Sequence, residues 1–295
     1  MNKKLKKLIA LFSVCILMIF ITAGCNSASK KADSKKKTVK LVYANWVEGI
    51  ATTNLTKAIL EDKMGYTVET TMGDVGIIFT SLSQGDSDVF LDGWLPKLHA
   101  DYMKKYKDSI VDLGINYKNA PVGLVVPSYV KINSIEELNS MKDEFDKKII
   151  GIDSGASIMK VTENLIKDYN LDFELVEGSG PTMIAMLKAA IDKKKPIVVT
   201  GWKPHWKFAK WDLKFLEDPK KMYGEPEDVH TLARKGLEED MPEVYQFYKN
   251  FKMDDKQLNT LLKMINDNPN KEPIEVCREW IKQNEDVVNS WIPKK

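Results

Sequence analysis

Two four-residue runs, Gly93-Trp94-Leu95-Pro96 and Gly201-Trp202-Lys203-Pro204, stand 108 residues apart, each at the end of an apolar, β-branched segment. The likeness extends well beyond them. In the first half, apolar alternation predicts strands over 39–44, 66–71 and 88–92, with helices over 51–62, 77–83 and 98–106. In the second half, strands over 148–153, 173–176 and 196–200 alternate with helices over 158–169 and 182–192, and the loop at Trp46 falls on the loop at Ser154. This order predicts an α/β fold with a largely parallel sheet in each half. Ligands of open α/β sheets bind beyond the carboxyl ends of the strands. The duplication therefore puts Trp94 and Trp202 opposite each other across a cleft. One tryptophan alone would be explained as a plug at the end of a core; two at matching positions favour a ligand.

The run after Pro121 (122–126) is apolar and predicts a crossing between the halves, with a return near 229–233. Helical periodicity over 242–248, 256–266 and 273–288 predicts a C-terminal layer packed back on the first half, with Trp280 and Trp291 as core residues. One lobe is thus expected to comprise residues 38–122 and 230–295, the other 123–229.

The N-terminus is a different kind of segment. Lys3, Lys4, Lys6 and Lys7 precede a fourteen-residue apolar stretch, 8–21, that is too short to span a bilayer comfortably. This is the pattern of an export signal. Its end, Thr22-Ala23-Gly24-Cys25, resembles a bacterial lipoprotein signal, although Thr22 stands where that pattern prefers Leu. The resemblance implies cleavage after residue 24, a lipid on Cys25 and a chain held at the extracytoplasmic face of the cell membrane. Residues 25–37, almost without large apolar side chains, are expected to be a solvated tether. Cys15 leaves with the signal, so Cys277 alone remains and no internal disulfide forms. Without the four signal lysines, the 44 basic residues fall to 40 against 42 acidic ones. A near-neutral balance, with lysine runs that carry no aromatic residues, gives no footprint for nucleic acid.

Catalytic patterns are poor. The three histidines, His99, His205 and His230, lie in no nucleophile–base spacing, and no Gly-x-Ser-x-Gly or cysteine-based metal pattern occurs. Asp86, Asp88 and Asp92 lack the spacing of a calcium loop. The expectation is a binding protein, not an enzyme, with no cofactor and no metal. Three indoles at strand ends, Trp46, Trp94 and Trp202, can surround a quaternary ammonium, whose charge is spread over methyl groups that form no hydrogen bonds. A helix start at Gly49-Ile50 offers backbone amides to an anion, and His230 or His205 could donate to the same group. His205 is equally well read as a structural histidine at the strand end. A caged trimethylammonium beside a seat for a carboxylate describes a betaine.

The runs "ANWVEGIATT", "DVGIIFTSLSQGDSDVFLDGWLPKLH" and "PIVVTGWKPHWKFAKWDLKFLEDPKK" closely resemble the glycine betaine/proline betaine substrate-binding lipoproteins of osmoprotectant ABC importers. The resemblance covers nearly the whole mature chain. It implies a two-lobed periplasmic-binding-protein fold of type II with its ligand in the interlobe cleft. It further implies a tryptophan box of Trp46, Trp94 and Trp202, amide donors at Gly49 and Ile50, a histidine on the carboxylate, and a monomer that delivers its ligand to an ABC permease. The rival readings are a choline or carnitine receptor, a surface-anchored α/β hydrolase, and a structural cell-wall lipoprotein.

Overall fold

Ten strands carry the fold of the computed structural model, which describes residues 37–294. They are β1 (Thr38–Tyr43), β2 (Thr67–Met72), β3 (Val89–Leu95), β4 (Ile110–Ala120), β5 (Val122–Pro127), β6 (Lys148–Ile150), β7 (Glu174–Val176), β8 (Val198–Trp202), β9 (Leu213–Phe215) and β10 (Glu227–Arg234). The export signal, Cys25 and all but the last residue of the tether lie outside the described residues.

Two sheets result, ordered β2-β1-β3-β10-β4 and β7-β6-β8-β5-β9. Their plans are the same. A parallel trio, built on β1 in one and β6 in the other, is flanked by an antiparallel strand, β10 beside β3 and β5 beside β8. The sheets are therefore mixed where a largely parallel pair was expected. The difference arises at the crossing. Residues 122–126 form β5, a central strand of the second sheet, and only Pro121 separates it from β4 of the first. β4 itself has no clean alternation of buried and exposed residues, because bulges shift its register against β10. That irregularity hid it from periodicity.

Trp46, in extended backbone (φ −113°, ψ 146°), caps a helix over Val47–Asp62 that starts four residues before the expected position. Val47 and Gly49 are weak helix formers and obscure the start. Its three threonines also weaken the signal, yet the hydroxyls of Thr52 and Thr56 are satisfied by donating to the carbonyls of Glu48 and Thr52, each at 2.9 Å. This helix is covered on most sides, with Ala51, Leu55, Ala58, Ile59 and Leu60 fully buried. The C-terminal helix Pro273–Gln283 packs against it: the Cys277 thiol points at the Ala51 carbonyl, and Arg278 pairs with Asp62 at 2.7 Å. Trp280 and Trp291 are buried in that layer and stack in parallel, 6.3 Å between centroids.

β3 and β8 run through their Gly-Trp pairs, so Trp94 and Trp202 are strand residues rather than loop residues. The glycines before them have a common cause. A Cβ on Gly93 would lie 2.7 Å from Leu232 of β10, and one on Gly201 would lie 2.5 Å from Val125 of β5. Each glycine lets the antiparallel neighbour press its side chain against the strand. Gly93→Ala and Gly201→Ala are each expected to destabilise the fold by about 1–3 kcal/mol through overpacking. In thermal melts this reads as a loss of about 2–4 °C per kcal/mol; unchanged melting of both variants would disprove the close approach.

Candidate functional site: a tryptophan-walled cavity

A cavity with about 310 Å³ of free space, partly open to solvent, lies among the strand ends of the two sheets. Trp46, Trp94 and Trp202 form walls, and Glu48, His99, Val122, Ile152 and Ile158 complete much of the lining. All three tryptophans are buried. Trp46 and Trp202 stand 6.4 Å apart between ring centroids at 56°, so their faces are angled toward a shared volume rather than stacked.

Each indole is held differently. The Trp94 N–H donates to Asp92 Oδ1 at 2.8 Å, two residues back on the same strand. The Trp46 N–H donates to Asp153 Oδ1 at 3.1 Å, from the loop that follows β6. That bond joins the first half of the chain to the second, as does the exposed pair Lys160–Asp101. The Trp202 N–H lies beside the Glu48 carboxyl without reaching hydrogen-bond geometry with any acceptor among the described residues. Behind Trp202, the Lys207 ammonium sits 4.4 Å from the ring centroid, wholly buried and without a hydrogen-bond acceptor among the described residues. The peptide bonds Leu95–Pro96 and Lys203–Pro204 are both cis, so the two turns match in backbone as well as sequence.

Burial controls the charges. It pushes Glu48 well above the usual carboxylate range, and the nearby Asp92 adds to the effect. It raises Asp92 to about 7, against the pull of the Trp94 hydrogen bond. It lowers Lys207 to about 7, opposed by attraction to Glu48. His99 is held down to about 3 and is neutral. Its Nδ1 accepts the Trp94 amide at 3.0 Å, which leaves the proton on Nε2. Its ring lies 6.4 Å from that of Trp46 and nearly parallel to it.

Of the residues singled out in the sequence, Trp46, Trp94 and Trp202 come together around the cavity. Gly49 sits in the first turn of the helix, where a Cβ would come within 2.8 Å of Asp92 Oδ2. The Ile50 amide differs from expectation: it donates to the Trp46 carbonyl at 2.9 Å and closes the first helical turn. With the helix starting at Val47, the amides lacking an intrahelical acceptor are those of Val47, Glu48 and Gly49. Neither expected histidine lines the cavity. His205 is packed edge-on against Trp202 at 5.4 Å, and its Nδ1 accepts the Lys207 amide at 3.0 Å. This is the structural arrangement, with burial holding the ring neutral. His230 pairs with Asp112 at 2.9 Å between β10 and β4, beside a separate surface that includes Tyr117 and Met253. Sequence reasoning passed over Glu48 and His99. The available signals were an acid two residues after a strand-end tryptophan, and a histidine three residues after a Gly-Trp-x-Pro turn.

The chain is similar to several known proteins. The glycine betaine/carnitine transport binding protein GbuC of Listeria monocytogenes is 45% identical over 152 residues, which is 50% of this chain and 50% of that protein. The match thus spans about half the length of that relative. Among solved structures, a glycine betaine, L-proline ABC transporter binding protein (ProX) from Borrelia burgdorferi is 38% identical, with a TM-score of 0.84 over 88% of this chain and 97% of its own. Lactococcal OpuAC, closed around glycine betaine, is also 38% identical, with a TM-score of 0.81 over 88% of this chain and all of its own. An ABC-transporter choline binding protein in complex with choline is 28% identical, with a TM-score of 0.80 over 86% and 91% of the two chains. These likenesses give the α/β architecture of periplasmic binding proteins. Residues 37–283 match the substrate binding domain of ABC-type glycine betaine transport systems, and the chain belongs to that family of transport binding proteins.

Proposed function

We propose that this protein is an extracytoplasmic receptor, tethered by a lipid on Cys25, that captures glycine betaine and passes it to an ABC permease for osmoprotection. It acts as a monomer and does no chemistry on its ligand. The observation that carries the reading is the set of three buried indoles around one small cavity. A quaternary ammonium gives up little when water is removed from its methyl groups, and it gains attraction from each ring face of about 0.5–2 kcal/mol. A primary ammonium would need acceptors that indoles do not provide. The ligand's carboxylate is assigned to the start of the helix Val47–Asp62, where unpaired amides and the helix dipole favour an anion. Similarity to GbuC and to lactococcal OpuAC supports the ligand class. Proline betaine shares both groups and belongs to the same reading.

A carboxylate-free cation such as choline is the second reading. It is favoured by the Glu48 carboxyl in the lining and by the similarity to the choline binding protein.

Titration with glycine betaine is expected to change tryptophan fluorescence with a saturable isotherm. Trp46→Ala, Trp94→Ala and Trp202→Ala should each weaken binding by about 2- to 30-fold per lost contact; wild-type affinity in all three would rule out the cage. In cells, Cys25→Ser is expected to move the protein from the membrane fraction to the soluble or secreted fraction. If the variant stays with the membrane, the lipid tether is wrong.

A further inference from the structure

We infer that Glu48 and Lys207 are positioning residues for the cavity: they pair with each other and with the Trp202 N–H, so that each half of the chain holds a tryptophan of the other. The inference rests on the reading of the cavity as a ligand site walled by three indoles, and it adds the residues that orient the third ring.

Acids hold the other two indoles. The Trp94 N–H donates to Asp92 and the Trp46 N–H to Asp153. Trp202 departs from this, because the 108-residue offset that matches it with Trp94 puts Thr200 where Asp92 stands. A threonine hydroxyl can accept a hydrogen bond. That of Thr200 nevertheless has no partner among the described residues, and neither has the Trp202 N–H. The acid beside the Trp202 N–H comes from the helix Val47–Asp62 and is Glu48. Trp46 of the first half takes its acceptor from the second half, and Trp202 of the second half takes its own from the first.

The unpaired groups here are complementary. Glu48 is 3% exposed, and both of its oxygens lack a partner among the described residues. Lys207 is fully buried, and its ammonium lacks an acceptor among them. Either group buried alone is costly. Both lie against one indole: Glu48 lines the cavity with Trp202, and Lys207 Nζ stands 4.4 Å from the centre of that ring. Each also favours the charged form of the other, against the effect of burial. Asp92 and Asp153 serve the other indoles, and His205 Nδ1 accepts the Lys207 amide, so none of them is spoken for by the Lys207 ammonium.

The atoms suffice for the pairing. A carboxyl has two oxygens, one to accept the indole N–H and one to meet Lys207 Nζ. Both side chains are long and unbranched, so rotamer changes alone alter where their ends lie. A carboxyl and an amine that share one proton hydrogen-bond whichever of them holds it. Trp202 is then fixed at its nitrogen by Glu48 and covered on one face by Lys207, which does not line the cavity. With the bond from Trp46 to Asp153, the two halves clasp each other's tryptophans.

The test is a double-mutant cycle on Glu48→Met and Lys207→Met, apolar replacements of similar length, read by calorimetric titration with glycine betaine and by thermal melting. Each single variant should bind about 10-fold or more weaker and melt lower, because it strands a buried polar partner. The double variant should lose no more than the worse single one, so the two losses overlap by about 10-fold or more. Losses that multiply, or no loss in either single variant, overturn the pair. In NMR spectra with isotope-labelled indole nitrogens, the Trp202 N–H should resonate downfield as a bonded proton and move upfield in Glu48→Met; a signal that does not move overturns the orienting role. Should a single variant fail to fold, folding regained in the double variant supports the pair, and folding not regained overturns it. Melting and the indole signal need no ligand. They decide the clasp even if the wild type binds no glycine betaine, a result that would instead remove the proposed function.

Discussion

A π face attracts a cation strongly only when neither is solvated, and the indoles of this cavity are arranged accordingly. Trp46, Trp94 and Trp202 are all buried, so their faces meet the cavity rather than bulk water. Burying an indole also buries its N–H, which must find an acceptor. Asp92 and Asp153 serve two of the rings, and the third lies beside Glu48. The carboxylates near the cavity thus follow from the tryptophans. Desolvation in turn raises the pKa of both Glu48 and Asp92, and repulsion from Asp92 adds to the effect on Glu48. The position and charge state of these carboxyls trace back to the burial of three indoles.

The duplicated scaffold carries unequal chemistry. The 108-residue offset that matches Trp94 with Trp202 also matches His99 with Lys207, Asp92 with Thr200, and Trp46 with Ser154. Backbone needs are shared, as the two glycines and two cis prolines attest. Side-chain roles are not. The first half supplies two of the three indoles together with Glu48, Asp92 and His99, whereas the second supplies one indole with a buried lysine behind it. A repeat of this kind provides symmetric strand ends on which an asymmetric ligand can be met by different groups.

Most of the strand–helix order was legible, because buried parallel strands are β-branched runs and their helices have a 3.6-residue period. That Trp94 and Trp202 would stand at one cavity was legible for a separate reason: duplication marks positions that packing alone does not require. β4 was not, since bulges break its alternation, and the helix start at Val47 was hidden by a glycine and a β-branched residue. The histidines were the weakest point. A histidine's role depends on the partner its ring nitrogens meet, and Asp112 for His230 or the Lys207 amide for His205 lies on a neighbouring strand or around a turn. Glu48 was missed because an acid at a helix start is ordinary. Only burial without a partner makes it unusual.

The hydrogen bond from Trp46 to Asp153 has a consequence for how the site comes into being. One wall of the cavity is oriented by a group on the opposite half of the molecule, while Trp94 is oriented by a residue of its own strand. Were the halves to part, Trp94 would keep its bearing and Trp46 would exchange its acceptor for water. The cavity wall is therefore a joint product of assembly, absent in full from either half.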